Sequence, residues 1–234
     1  MIPVLGPAHA FPPVSRALAE PDGLLAAGGD LSAGRLLAAY RSAVFPWFSP
    51  GDPILWWSPS QRMVLEPARV RVTRSLAKVL RNRAYHITIN QAFDTVMRAC
   101  AAPRGGQAGT WITDEMVEAY GELHRQGYAH SYECWQDGQL AGGLYGVAVG
   151  RMFYGESMFH RATDASKMTF VSMARHLHRH GFAMVDCQMF TPHLESLGAQ
   201  LITRGEFIAR LEKAIHLPQP PGMWEDEFRH EPPR

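Results

Sequence analysis

The dipeptide Asp137-Gly138 constrains the fold more than any other feature of the sequence. It separates two runs with strand-like patterns, residues 129–136 and 139–149. Asp-Gly favours a two-residue hairpin turn because both positions tolerate a positive φ. A third strand-like run, residues 151–159, follows across Gly150. The pattern therefore predicts an antiparallel meander of three strands.

Helices and further strands surround this meander. Thr73, Asn90 and Thr113 precede amphipathic stretches and can cap helices, because their side chains accept hydrogen bonds from free backbone N–H groups. Downstream of the meander we expect a helix at 164–180, a strand at 182–188, a short helix from Thr191-Pro192, a strand at 200–203, a helix at 205–215 and a surface tail from Pro218. This order predicts an α+β fold whose main part is GNAT-like (N-acetyltransferase-like), by fold-level analogy.

The first part of the chain differs in composition, with Pro and Gly at high density and one helix that Ser32 can cap. We expect a small N-terminal domain over residues 1–61 and an acyltransferase-like catalytic domain over residues 62–234. An aromatic cluster lies in the first of these, comprising Phe45, Trp47, Phe48, Trp56 and Trp57. Trp56 and Trp57 fit packing between the domains, whereas Trp47, together with Trp111, suits base stacking or a pocket wall.

The bulk properties describe an ordinary globular chain. It has 234 residues, 46% hydrophobic and 19% charged, with a formal net charge of +1, so any nucleic acid must bind through a local patch. No apolar run is long enough to span a membrane, and Met1–Ala10 lacks the basic start of a signal peptide. Three widely spaced cysteines fit a reducing compartment. We expect a cytoplasmic protein that is a monomer.

Asp186 and Gln188 form the most unusual polar pair, since they lie two residues apart near the end of an apolar strand. Strand periodicity places both on one face. A carboxylate there can orient the Gln amide through its NH2 group and leave the carbonyl free to accept from an amine. The alternative is a structural pair that binds loop amides.

Glu156 lies in the stretch Gly155-Glu156-Ser157-Met158-Phe159. An acid in a cleft requires a cationic partner, which suits reception of a Lys or Arg side chain, with Met158 at the floor of an apolar pocket. The alternative is a solvated position on an edge strand.

A basic stripe is predicted on the helix after Thr73, because Arg74, Lys78 and Arg81 share one helix face. Phosphates of an RNA would explain it, and a solvated face is the alternative. We predict no metal site and no cofactor. His176, His178 and His180 have no carboxylate or cysteine spaced beside them, and the glycines after Arg104 do not form a phosphate loop.

Several motifs in a fixed order resemble the bacterial leucyl/phenylalanyl-tRNA–protein transferase family. The matching stretches are residues 23–31 (GLLAAGGDL), 45–50 (FPWFSP), 55–59 (LWWSP), 109–112 (GTWI), 155–159 (GESMF), 165–167 (ASK), 186–188 (DCQ), His193, and 196–199 (SLGA). The resemblance implies transfer of Leu or Phe, and less well Met, from Leu-tRNA or Phe-tRNA to proteins that start with Lys or Arg. It also implies a role in N-end rule degradation.

The resemblance also assigns roles to single residues. It implies that Asp186 and Gln188 are the catalytic pair and that Glu156 recognises the acceptor. It implies that Leu144, Met158 and Phe170 line the pocket for the transferred amino acid's side chain, and that Trp47 and Trp111 lie near the terminal adenosine of the tRNA. Further substrate contacts are implied for Ser157, Thr191 and His193. Two departures from the family pattern stand out: Thr191-Pro192 replaces an expected Asn-Asp, and Leu144 with Phe170 alters a pocket usually built from Met and Leu.

Two other functions fit parts of the sequence. An acetyl-CoA-dependent N-acetyltransferase would need a glycine-rich pyrophosphate loop before the long helix, where Arg161–Ser166 has no glycine. A non-enzymatic tRNA-binding or degradation adaptor would use the basic stripe and would not need Asp186 and Gln188.

Overall fold

The computed structural model describes residues 2–103 and 111–230, which form a mixed α/β protein with two β-sheets. The predicted glycine-rich loop from Arg104 to Gly109 lies outside the described residues, as does Thr110 of the Gly-Thr-Trp-Ile motif. No helix in the described ranges is long and apolar enough to cross a bilayer.

The smaller sheet belongs to the Pro- and Gly-rich start of the chain. Its strands lie in the order β1-β2-β4-β3. They are β1 (Val4–Leu5), β2 (Leu24–Gly28), β3 (Phe45–Pro46) and β4 (Leu55–Trp57). The helix α1 (Ala33–Arg41) connects β2 to β3, and the Ser32 side chain accepts from the backbone N–H of Arg35, as predicted.

The larger sheet has eight strands in the order β11-β5-β10-β9-β8-β7-β6-β12. The strands are β5 (Gln61–Leu65), β6 (Tyr85–Ile89), β7 (Ala129–Gln136), β8 (Gln139–Val149), β9 (Met152–His160), β10 (Met184–Gln188), β11 (Gln200–Thr203) and β12 (Phe228–His230). Asp137 and Gly138 both have positive φ (50° and 73°), which confirms the predicted hairpin between β7 and β8. Among the described strands of this sheet, β9 and β10 form the parallel pair, and every other pairing is antiparallel.

Six further α-helices pack around this sheet in the described ranges. They are α2 (Arg74–Asn82), α3 (Phe93–Ala101), α4 (Asp114–Arg125), α5 (Ala165–Arg179), α6 (Pro192–Ser196) and α7 (Arg204–Ala214). The side chains of Thr73, Thr113 and Thr191 each accept from a backbone N–H of the first helical turn, which confirms the first two predicted caps and the predicted short helix.

Two predictions about local structure are wrong. Asn90 does not cap α3, which begins at Phe93: its φ is 62°, and its Oδ1 instead accepts from the N–H of Ser131 at 3.1 Å. The side chain is thus engaged by the neighbouring strand. The C-terminal tail does not simply lie on the surface, because β12 pairs antiparallel with β6 and Met223 is buried.

The apolar side chains form two clusters, one on each face of the larger sheet. One cluster joins Tyr40 and Trp56 of the N-terminal segment to Tyr145 of β8. The other joins Leu144 of β8 to Phe170 of α5. Successive residues of a strand therefore contribute to opposite faces, as strand geometry requires. The N-terminal segment, α3, α4 and α7 cover one face, while α2, α5 and the tail cover the other.

Candidate active site

A cavity of about 480 Å³ opens where the parallel strands β9 and β10 stop pairing. Their register ends at Asp186 opposite Tyr154, and the wall begins at Gly155. Most of the wall is apolar. It is lined by Phe45, Pro46, Trp47, Trp111, Leu144, Tyr145, Gly155, Glu156, Ser157, Met158, Phe170, Met173, Val185, Cys187, Gln188, Met189, Thr191, His193 and Leu194.

This cavity brings together Gln188 and all nine residues for which the sequence predicts substrate contacts. The nine are Leu144, Glu156, Ser157, Met158, Phe170, Trp47, Trp111, Thr191 and His193. They come from β8, β9, α5, the N-terminal segment, the residues before α4 and the start of α6, so only the tertiary fold makes them neighbours. Asp186 is absent from the wall.

The rim and the floor of the cavity differ in exposure. Leu144 and Phe170 are buried, so they form an apolar floor. Trp47 is 45% exposed and its ring lies 5.8 Å from that of Trp57, whose indole N–H donates to the Trp47 carbonyl. The mouth of the cavity thus carries a fixed aromatic surface.

Gln188 occupies a bulge at the end of β10. Its φ is 61°, and the register of β10 against β5 shifts between Asp186 and Gln188. The bulge turns the Gln188 side chain into the cavity, where Nε2 donates to Glu156 Oε1 at 2.9 Å. The predicted strand face shared by Asp186 and Gln188 is therefore wrong, because a bulge breaks the alternation.

Asp186 is fully buried and does not orient the Gln188 side-chain amide as the sequence suggested. Its Oδ1 instead accepts from the backbone N–H of Gln188 at 2.8 Å. Both carboxylate oxygens also accept from Arg62, at 2.9 Å from Nε and 2.7 Å from Nη2. Asp186 thus fixes the backbone of the bulge from behind the cavity wall.

Arg62 is a buried residue that the sequence analysis missed. It lies on β5, and its guanidinium lies between the rings of Phe45 and Phe207, 4.5 and 4.7 Å from their centroids. Nη1 is 3.4 Å from the carbonyl of Ala43. A charged residue inside the apolar strand 61–65 is a sequence signal, since a buried cation needs an anion. Nothing local identifies Asp186 as that anion.

Glu156 is buried at the cavity wall and is bound by two tyrosines that the sequence analysis also missed. Tyr40 of α1 donates to Oε1 at 2.8 Å, and Tyr120 of α4 donates to Oε2 at 3.1 Å. The two hydroxyl oxygens lie only 2.6 Å apart. Burial raises the pKa of both tyrosines well above the usual value, so they remain protonated donors.

The protonation state of Glu156 decides how many of the contacts in this cluster can be hydrogen bonds. Three hydrogen bonds among the oxygens of Tyr40, Tyr120 and Glu156 require three protons, and the two hydroxyl groups supply only two. All three contacts are hydrogen bonds only when Glu156 carries a proton. Burial raises the pKa of Glu156 to about 7, although the tyrosine hydroxyls favour its charged form. Near pH 7 the site therefore contains both protonation states of Glu156.

The basic stripe lies on a separate surface. Arg74, Lys78 and Arg81 are exposed on α2, while Leu76 and Leu80 of the same helix are buried. This division confirms that the three cations share the outer face of an amphipathic helix.

Comparison with known proteins gives a consistent family assignment. The sequence model described as leucyl/phenylalanyl-tRNA protein transferase matches residues 64–212, and that of the family's N-terminal domain matches residues 29–60. The leucyl/phenylalanyl-tRNA–protein transferase of Chromobacterium violaceum is 62% identical over 99% of both chains. The protein of that name from Thiobacillus denitrificans is 61% identical over 92% of this chain and 94% of its own.

A solved structure, the crystal structure of FemX, matches 73% of this chain and 66% of its own with a TM-score of 0.49 and 10% identity. The sequence relatives carry the assignment. The chain belongs to the leucyl/phenylalanyl-tRNA–protein transferase family.

Proposed function

We propose that the protein transfers Leu or Phe, and less readily Met, from aminoacyl-tRNA to the N-terminal amine of proteins that begin with Lys or Arg. Membership of the family supports aminoacyl transfer from tRNA to protein. One observation carries the assignment of the site: an apolar cavity whose polar wall is the Gln188–Glu156 pair. N-end rule degradation is the process that such a product would enter.

The donor side chain fits the apolar floor. Leu144, Met158 and Phe170 would surround the Leu or Phe side chain of the donor. Selection by size in an apolar pocket amounts to about 1–3 kcal/mol per methylene, so overlap among Leu, Met and Phe is expected. Trp47 and Trp111 at the mouth would stack the terminal adenosine, with Ser157, Thr191 and His193 as further contacts.

The reaction needs positioning more than a nucleophile from the protein. The acceptor amine attacks the ester carbonyl carbon, an amide bond forms, the ester C–O bond breaks, and the ribose oxygen leaves with a proton. Holding amine and ester in line can supply up to about 7–11 kcal/mol of the barrier. The donor ester is already activated, so the step consumes no further energy source.

Gln188 is the group that we place against the amine. Its Nε2 is held by Glu156, which leaves its carbonyl oxygen to accept from the attacking N–H. Asp186 acts as a positioning residue, because it binds the Gln188 backbone and not the cavity. A Gln is a weak base, so the proton leaves through water or the ribose hydroxyl.

A covalent acyl-enzyme through Cys187 fits poorly, although this thiol lies in the cavity wall. Burial raises the pKa of Cys187 above its usual range, so the thiolate is scarce at neutral pH. The thiolate is the reactive form of cysteine. Direct attack by the amine therefore accounts for the site better.

Acceptor selection is assigned to Glu156. Its ionised form would attract the cationic side chain of an N-terminal Lys or Arg. Oε2 accepts from Tyr120 and retains a second lone pair for such a cation. The tRNA body would meet Arg74, Lys78 and Arg81 through its phosphates.

We also infer a GNAT-like catalytic domain over residues 62–234 after a small domain over residues 1–61. Support comes from the antiparallel meander followed by α5, β10, α6, β11 and α7, and from the position of the small sheet before Gln61. A monomer in the cytoplasm completes the proposal.

One assay tests this function against its rivals. Radiolabelled Leu-tRNA is incubated with the protein and a peptide that begins with Arg, and acetyl-CoA replaces the tRNA in a parallel reaction. We expect Leu on the peptide and no acetylation. Acetylation alone would establish the acetyltransferase alternative, and tRNA binding without either product would establish the adaptor.

A further inference from the structure

Three potential metal ligands converge at the C-terminal end of α5, outside the cavity. They are His176 and His180, one helical turn apart, and Asp226 of the C-terminal tail. Their ligand atoms all lie within 4.8 Å of one another. In the sequence, these histidines have no carboxylate spaced beside them, which predicts no metal site. Asp226 lies 46 residues after His180, so only the fold brings it there.

The tail holds Asp226 in place from both sides. Upstream, Met223 is buried and the ring of Trp224 stacks on that of His130 at 3.6 Å between centroids. Downstream, β12 pairs with the edge strand β6. A carboxylate fixed between two anchored stretches faces the helix with little freedom, which favours a preorganised ligand.

The two distances from Asp226 to the histidines match the edges of a tetrahedral coordination sphere. Asp226 Oδ2 is 3.3 Å from His176 Nε2 and 3.2 Å from His180 Nε2. With metal–ligand bonds of about 2.0–2.1 Å, adjacent ligands of a tetrahedral zinc ion lie about 3.3–3.4 Å apart. Two imidazoles at i and i+4 of one helix are also a usual zinc pair.

His176 is oriented for this role by its other nitrogen. Its Nδ1 lies 2.7 Å from the hydroxyl oxygen of Tyr132, as expected for a ligand whose second nitrogen binds an outer partner. The residue is fully buried, and among the described residues its Nε2 has no hydrogen-bond partner of acceptable geometry. A buried ring nitrogen that makes no well-aligned hydrogen bond is costly, and coordination of a metal ion would remove that cost.

We propose that His176, His180 and Asp226 bind a divalent cation of the zinc type, which ties the C-terminal tail to α5. Imidazole and carboxylate donors suit this class of ion. The side chains of Asp226 and His180 are 41% and 24% exposed, so water reaches the fourth position. Phe170 and Met173 of the cavity wall lie one to two turns before His176 on the same helix, so the ion would brace the helix that supports the substrate site.

The test uses the full chain, freed of metal with a chelator and titrated with zinc chloride by calorimetry. We expect one equivalent of zinc to bind and to raise the melting temperature, because an ion that binds only the folded state stabilises it. Cobalt should give the intense visible absorption of a tetrahedral site.

The variants separate this site from adventitious binding. His180→Ala and Asp226→Asn should each weaken zinc binding by at least about tenfold, and both residues are partly exposed, so the fold should survive. His178→Ala is the matched control, because His178 lies on the same helix but is exposed. Absence of saturable binding, or equal affinities in Asp226→Asn and His178→Ala, would overturn the proposal.

Discussion

The side-chain nitrogen of Gln188 lies 2.9 Å from Oε1 of Glu156, and this contact fixes which end of the amide remains for an incoming amine. Gln188 ends β10, and Glu156 lies within the parallel neighbour β9, two residues beyond the last paired position of the two strands. Their contact joins the group that we place at the reacting nitrogen to the group that we place at the acceptor side chain. Substitutions at the two positions should therefore have different kinetic effects.

Gln188→Ala should lower kcat for Leu transfer by about 10²-fold, since it removes a positioned hydrogen-bond acceptor from the reaction. Binding of Leu-tRNA, measured by filter retention, should persist. Gln200→Ala changes the same residue type at an exposed position of β11 and should have no effect. An unchanged kcat in Gln188→Ala would refute the role.

Glu156→Gln should lose the preference for a cationic N-terminal residue. We expect the ratio of kcat/KM for a Lys-starting peptide to that for its norleucine analogue to fall by at least about tenfold. In the wild type this ratio should rise from pH 6 to pH 8, because Glu156 ionises as the pH passes its pKa of about 7.

The ratio cancels titration of the attacking amine, which both peptides share. A wild-type ratio that does not change with pH, or a variant that keeps the preference for Lys, would contradict recognition by charge.

Glu156 should also make stability depend on pH. Its pKa is about 7 in the folded protein and 4.5 ordinarily, so between these values the folded state holds a proton that the unfolded state has released. Its contribution is therefore full below about pH 4.5 and is lost as the pH rises through about 7. Relative to wild type, Glu156→Gln should gain up to about 3 kcal/mol between pH 5 and pH 8. Urea unfolding at several pH values measures this difference in the free energy of unfolding. A difference that does not change with pH would show that folding does not raise the pKa of Glu156.

Arg62→Ala should destabilise the fold by about 3–5 kcal/mol, because it leaves the buried Asp186 carboxylate without its cation. The matched control is Arg69→Ala. That arginine is 68% exposed in its pair with Glu66, so its loss should cost at most about 1 kcal/mol. Equal free energies of unfolding for the two variants would show that the buried pair is not a structural requirement. Where Arg62→Ala folds, kcat should fall while tRNA binding persists.

Lys78→Ala should weaken binding of tRNA and lower the slope of log K against log salt by about one. Lys213→Ala removes the same charge from an exposed position on α7 and leaves both quantities unchanged. Binding isotherms over a range of salt concentrations measure the slopes. Identical slopes for the two variants would place the RNA elsewhere.

Signals that act over a few residues predicted the local structure well. The turn at Asp137-Gly138 and the caps at Thr73 and Thr113 depend only on neighbours in sequence, and all three are present. Asn90 has the same capping chemistry, but the strand that holds Ser131 engages its side chain. A few neighbouring residues in the sequence do not show that a distant strand competes for the side chain.

In the candidate site, too, contacts between residues far apart in the sequence are the ones that could not be predicted. The resemblance to the family predicted the residues that line the cavity. Strand periodicity predicted that Asp186 shares a face with Gln188, and this is wrong because a bulge at Gln188 breaks the alternation. Tyr40 resembles any apolar helix position in the sequence, and its contact with Glu156 spans 116 residues. Arg62 shows in sequence that an anion is needed, but its partner is 124 residues away.

The hydroxyl of Tyr40 has a consequence for how the chain can be divided. Tyr40 belongs to the segment that contains the small sheet, and Glu156 belongs to a strand of the large sheet. Residues from both parts of the chain therefore set the protonation state of Glu156. Neither half, expressed alone, would keep the carboxyl in its native ionisation state. Two complementary fragments would have to reassemble before the acceptor end of the site regained its charge.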